Sequence, residues 1–255
     1  MKKHASFVLA FTLAITSSVY SQPGKPATAG LSTILTKLFG DNNAFTADVV
    51  MTETVRDQST TMPGKIARNA GELRTEINPG DAKSPRMKPE NIAHLKTMGL
   101  GTTVQIFRAD KKLSYFLYPN LSAYVATPLQ NADAKPASDF KVNITELGKE
   151  TVGGHPCVKN KVVVTDHEGA TYESTVWNAT DLKKFPIKIE IPKQDQTITL
   201  ALSNIKTGKP DAALFELPAN YKKYDNKQAI VFEQMKKQMG SMVPPTGQAP
   251  PTNHP

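Results

Sequence analysis

The sequence predicts a mainly β domain, an antiparallel sheet or open barrel with a few short helices. Three observations carry this. From Phe45 onward the apolar positions fall with a period of two, and β-branched residues are frequent. The strand-like runs are joined by short polar loops of hairpin length, such as Asp110-Lys111-Lys112 and Asp166-His167-Glu168-Gly169. No helix of crossover length separates one strand from the next, so neighbouring strands pair antiparallel and a doubly wound parallel sheet is excluded.

The elements follow in order. Lys2 and Lys3 form a positive start, and Phe7–Ile15 an apolar core too short for an ordinary membrane-spanning helix. With cleavage after Ser21, residues 1–21 read as a signal peptide and the mature protein as an exported, periplasmic one. Residues 22–30, rich in Pro, Gly, Ala and Thr, read as a linker. A single domain then occupies 31–242. It opens on an amphipathic helix with Leu31, Ile34, Leu35, Leu38 and Phe39 on one stripe, ending at Gly40-Asp41.

The first strand spans Phe45–Val55, where Val49, Met51 and Val55 alternate with Asp48, Thr52 and Thr54. Further strands are predicted at 65–69, 72–77, 104–109, 113–118 and 122–128. A second group follows at 139–151, 157–165, 171–178, 187–192 and 197–205. Residues 78–101 interrupt the series with Pro79-Gly80, Pro85 and Pro89 and contain a short helix over 90–98, so this stretch is the expected mobile lid. A closing helix over 226–239 carries Ile230, Val231, Met235 and Met239, and residues 243–255 read as a disordered Pro-rich tail.

Composition is that of a globular protein: 39% hydrophobic, 21% charged and 7% aromatic. The formal charge is +8, two lower once Lys2 and Lys3 leave, with lysines scattered among Asp and Glu. That pattern is a solvated surface and points to no nucleic acid. One cysteine, Cys157, cannot form an intramolecular disulfide, so it is expected as a small buried hydrophobe.

Two blocks of residues resemble a known family. The first joins Phe45–Val55 to Gly64-Lys65-Ile66-Ala67-Arg68, Gly71-Glu72-Leu73-Arg74, and Ile106 through Tyr115 to Tyr118-Pro119. The second runs from Gly148-Lys149-Glu150-Thr151-Val152-Gly153 through Val176-Trp177 and Lys183-Lys184-Phe185-Pro186 to Phe215-Glu216-Leu217-Pro218. In this order they resemble the LolA/LolB-like lipoprotein-carrier superfamily, and within it a DUF4412-like branch of exported bacterial proteins. The resemblance implies a curved antiparallel sheet that forms an unclosed barrel, with helices against its concave side and an apolar cavity for acyl chains. It also implies a functional arginine on an early strand, to which either Arg68 or Arg74 corresponds.

Catalytic chemistry was sought and no constellation emerged. The mature histidines, His94, His155, His167 and His254, are too widely spaced for a metal site, and neither metal nor cofactor is expected. Ser203-Asn204-Ile205-Lys206-Thr207-Gly208 holds a Ser-x-x-Lys and a Lys-Thr-Gly that share Lys206, which two separate catalytic elements cannot do.

The binding candidates are aromatic: Phe107, Phe116, Tyr118, Tyr124, Trp177 and Phe185 lie on predicted strands and could line a cavity. The expected function is therefore a periplasmic, non-enzymatic binding or carrier protein for a lipid, a lipoprotein acyl chain or another apolar small molecule, with at most peripheral membrane contact. The alternative is an envelope stress sensor or scaffold that contacts a protein of the envelope through the same fold.

Overall fold

The structure, a computed structural model, describes residues 35, 37–129, 140–165 and 169–240, the last three as backbone only. The predicted signal peptide, linker and Pro-rich tail lie outside the described residues, as does most of the first predicted helix.

Twelve strands make one unclosed sheet: β1 (Ala44–Val55), β2 (Gln58–Asn69), β3 (Glu72–Ile77), β4 (Thr103–Arg108), β5 (Leu113–Tyr118), β6 (Ala123–Pro128), β7 (Lys141–Val152), β8 (His155–Thr165), β9 (Thr171–Ala179), β10 (Phe185–Lys193), β11 (Gln196–Thr207) and β12 (Lys222–Tyr224). Their order is β12-β6-β5-β4-β3-β2-β1-β11-β10-β9-β8-β7. Two antiparallel meanders, β1–β6 and β7–β11, are sewn together by β1 against β11, from Phe45 opposite Thr207 to Val55 opposite Gln196. All pairings are antiparallel except β12 on β6. That short pair is the parallel exception in an otherwise antiparallel sheet. It arises because the chain leaves β11 in mid-sheet, crosses one face and reaches the far edge from behind.

β2 begins seven residues before the strand predicted at 65–69. Its polar start and Pro63-Gly64 read as a turn, but pairing with β1 from Gln58 to Asn69 overrides that local signal. Arg56 and Asp57, both at positive φ, form the two-residue turn that sets the register. At Gly64 a Cβ would strike the Glu76 carbonyl oxygen on β3, so glycine lets the two backbones close up.

Register separates the two faces. On the inner face Phe45, Ala47, Val49 and Met51 alternate along β1, opposite Arg68, Ile66, Gly64 and Met62 of β2. The largest core cluster lies here, where Leu35, Leu38 and Phe39 pack on Phe45, Phe185, Ile187 and Ile189. Two helices cover the same face further along: α1 (Pro89–Thr97) through Leu95, and α2 (Lys227–Gly240) through Ile230. Both meet Tyr118, Ala123 and Val125. The residues expected as a mobile lid, 78–101, are tied down. Thr61 and Lys83 exchange two 2.9 Å backbone hydrogen bonds, Gly80 N–H donates to Gly101, and Arg86 Nη2 donates to the buried Glu53 (2.7 Å) and to Thr60 (3.1 Å). The prolines that suggested a lid instead make a fixed cap.

The outer face of β2–β6 is also apolar, with Ala67, Val104, Ile106, Tyr115 and Leu117 buried beneath Phe215. Phe215 belongs to the crossing segment, which Arg108 staples in place. Arg108, 6% exposed, contacts Glu72 (3.1 Å), Asp110 (2.8 Å), Glu216 (2.6 Å) and the Phe215 carbonyl (3.0 Å). The hydrogen bond from Arg108 holds the Asp110 carboxyl down at about 2. Because the folded value lies below the unfolded one, this stabilisation is full above the ordinary carboxylate range and is lost as pH falls through about 2.

We expect Arg108→Met to lower stability by about 1–3 kcal/mol, since it leaves the Phe215 carbonyl without its donor and three partly exposed carboxylates without their shared partner. Urea melts should show this at neutral pH. The wild type should lose more stability than the variant between about pH 4 and pH 2.

Candidate ligand-binding face

On the inner face Arg68 keeps two side-chain nitrogens that the described residues do not satisfy. Arg68 lies near the end of β2, between Phe45 on β1 and Leu73 on β3. It is 6% exposed, and its Nε and Nη1 have no hydrogen-bond partner among the described residues. The guanidinium carbon stands 6.0 Å from the centroid of Phe39. Phe39 in turn completes a trio with Phe45 (4.7 Å) and Phe185 (5.9 Å), the last two in edge contact at 4.8 Å. Burial lowers the Arg68 pKa, but a guanidinium so far above neutrality stays charged. Among the described residues, a cation therefore sits between sheet and helix with aromatic contacts in place of a counter-ion.

Arg74, six residues on, has a different fate. The hairpin at Ala70-Gly71 pairs Arg68 with Leu73 and Arg74 with Ala67, which sends the two arginines to opposite faces. Arg74 is ion-paired to Glu76 at 2.9 Å and donates to the Leu214 carbonyl at 3.3 Å, bracing the crossing segment.

The predicted aromatic candidates divide between the faces. Phe107 and Phe185 are buried in the same cluster as Phe39. Phe107 lies one strand beyond Leu73 in the row of Arg68. Tyr118 is buried under the two helices, where burial pushes its hydroxyl up to about 12. Phe116, half-buried on the same face, lies under the Lys227 ammonium at 4.4 Å, and burial lowers that lysine to about 8. Tyr124 is not brought to the inner face, whereas Trp177 is buried in the same cluster as Phe39 although it alternates with Val176 and so turns to the other side of the sheet. Tyr124 packs edge-on to Tyr115 on the outer face. Trp177 pairs with Lys188 and Lys159 there, lies 4.1 Å and 5.0 Å from their ammonium groups, and donates its indole N–H to Glu150 at 2.6 Å.

Phe39 and Phe45 escaped the sequence reading as site residues. Their signal was the apolar stripe of the first helix meeting the first strand, which predicts packing and not a contact with a cation. Also missed was a polar cleft of about 460 Å³ at one end of the sheet, lined by Val55, Arg56, Gln58, Arg86 and Asp195. Among the described residues, no group of three or more His, Cys, Asp or Glu could hold a metal ion, and no helix is long and apolar enough to cross a membrane.

The fold is thus an unclosed, mainly β sheet with helices on its inner face and a buried cation at their junction. No family model and no curated protein matches the chain. Among solved structures it is similar to an uncharacterized conserved protein from Thermus thermophilus, at 11% identity over 76% of this chain and 98% of that one, TM-score 0.42. It is also similar to the lipoprotein LppX of Mycobacterium tuberculosis, at 11% identity over 69% and 93%, TM-score 0.38. A LolA superfamily protein from Nitrosomonas europaea is similar at 10% identity over 74% and 98%, TM-score 0.36. None of these names bears the DUF4412 label.

Cys157 is 3% exposed, and burial raises its thiol pKa. Ellman's reagent should react with it about a hundredfold or more slowly in the native protein than in the urea-unfolded chain. A rate equal to that of the unfolded chain would show that this end of the sheet opens freely.

Proposed function

We propose that this chain is an exported, non-enzymatic binding or carrier protein. Its ligand has an apolar body and one polar acceptor, as a fatty acid or a lipid ester does, and it lies between the inner face and the helical segment at Leu35–Phe39. The observation that carries the reading is the buried Arg68 guanidinium, with two nitrogens unmatched among the described residues. An unsatisfied buried charge is a standing cost to the fold, and replacing such a group by an apolar one is often stabilising. A ligand carboxylate or ester carbonyl that accepts from Arg68 would remove the cost, while Phe39, Phe45, Phe107 and Phe185 meet its chain. The residue blocks quoted above, which resemble lipoprotein carriers, support the same class, and the periplasm is the compartment that the predicted signal peptide assigns.

The test is Arg68→Met in the mature protein. Thermal stability should rise by about 1–4 kcal/mol, and affinity for a fluorescent fatty-acid probe should fall about tenfold or more, the worth of a charged hydrogen bond. Unchanged probe binding would remove Arg68 from the site, and absence of probe binding by the wild type would remove the carrier reading.

One feature favours the second reading, a contact with an envelope protein. The edge strand β7 is exposed along nearly all of its twelve residues, with Val142, Ile144 (65% exposed) and Leu147 presented to solvent. Such an edge accepts a further strand through its backbone groups. If β7 is used in this way, a photo-crosslinker at Asn143 should capture a protein in cells and Ile144→Lys should abolish the capture.

A further inference from the structure

The surface at α2 and β12 is built the wrong way round for a helix that serves only to cover a sheet. Ile230 is the residue that α2 buries. Phe232, two positions on and so about 200° around the helix, is 70% exposed, and Met235, one turn further along the same stripe, is 50% exposed. Met239 continues that spacing in the sequence.

The charge around this stripe is one-sided. Lys222 on β12 and Lys236 and Lys237 on α2 flank it against Glu233, with Asp225 in the connection between the two elements; Lys227 lies over Phe116, and Lys223, opposite Tyr124, is turned to the outer face. The Glu233 carboxylate is already bound by Lys222 (3.0 Å), Lys237 (3.1 Å) and the Tyr224 hydroxyl (2.6 Å). Those three contacts hold Glu233 at about 2, so it remains an anion consumed by its neighbours. Lys236, four residues after Phe232 and so near the same stripe, is exposed. An aromatic and a flexible thioether side chain flanked by ammonium groups, on a helix too short to span a bilayer, have the make-up of an element that lies in the headgroup region of an anionic membrane.

We propose that α2 docks the protein peripherally on an anionic lipid bilayer, with Phe232 and Met235 entering the acyl boundary and Lys236 meeting the headgroups beside Lys222 and Lys237. A second copy of this chain is a poorer occupant, because a two-fold pairing of this patch would bring lysines against lysines. The proposal does not depend on the inner-face ligand, since none of these residues contacts Arg68.

The test is co-sedimentation of the full mature protein with phosphatidylglycerol/phosphatidylethanolamine vesicles and with phosphatidylcholine vesicles. Binding should be confined to the anionic vesicles and weaken with added salt. Phe232→Ser and Lys236→Glu should each reduce it about tenfold or more. Both positions are exposed, so melting temperature and fatty-acid-probe binding should not move. Absence of wild-type binding to the anionic vesicles, or equal binding by Phe232→Ser, would overturn the proposal. So would light scattering that finds a dimer dissolved by Phe232→Ser, which would assign the patch to self-association.

Discussion

A sheet of twelve strands that does not close on itself leaves its inner face to be buried by something other than its own curvature, and the rest of this molecule follows from that constraint. A closed barrel buries its interior with strand side chains alone. Here the burial is shared among Leu35, Leu38 and Phe39 at the centre, α1 with the segment before it, and α2 at the far edge. The outer face of β2–β6 makes the same demand. It is met by a segment with little regular structure of its own, held by Phe215 from within and by the Arg108 cluster from the rim.

The two polar clusters of the core differ in kind. Around Arg108 three carboxylates and a carbonyl converge on one guanidinium, so the charge is neutralised where it is buried. Around Arg68 the neighbours are aromatic rings, and hydrogen-bonding capacity is left over. The first arrangement closes the fold, and the second leaves it with an unmet demand. A protein that carries a ligand gains from such an imbalance, because the bound state is then stabilised relative to the empty one by a contact that the chain cannot make for itself.

Much of the strand pattern was legible because period-two alternation is imposed by the pleat itself. The strands at 45–55, 72–77, 104–109 and 113–118 are found within a residue or two of where alternation places them. The early part of β2 was not legible, since Pro63-Gly64 carries a strong local turn signal that only pairing with β1 can overrule. The segment 78–101 misled for a related reason. Its prolines report a chain without regular structure and say nothing of the backbone bridge to Thr61 or the Arg86–Glu53 pair that immobilise it.

The site shows where sequence reading stops. Alternation within a strand tells which residues share a face, but not which face will be covered, so Tyr124 and Trp177 stood on equal terms with Phe107 and Phe185. Arg68 and Arg74 were equivalent until the Ala70-Gly71 hairpin set their parity and a segment some 140 residues further on took up Arg74. By itself, then, the sequence determined the class of fold, the order of its elements and the residue types at the candidate site, because these depend on local periodicity and composition. Only the tertiary structure decided which arginine is left unsatisfied, which aromatics surround it and which face of the last helix looks outward, because burial and pairing are set by residues far apart in the chain.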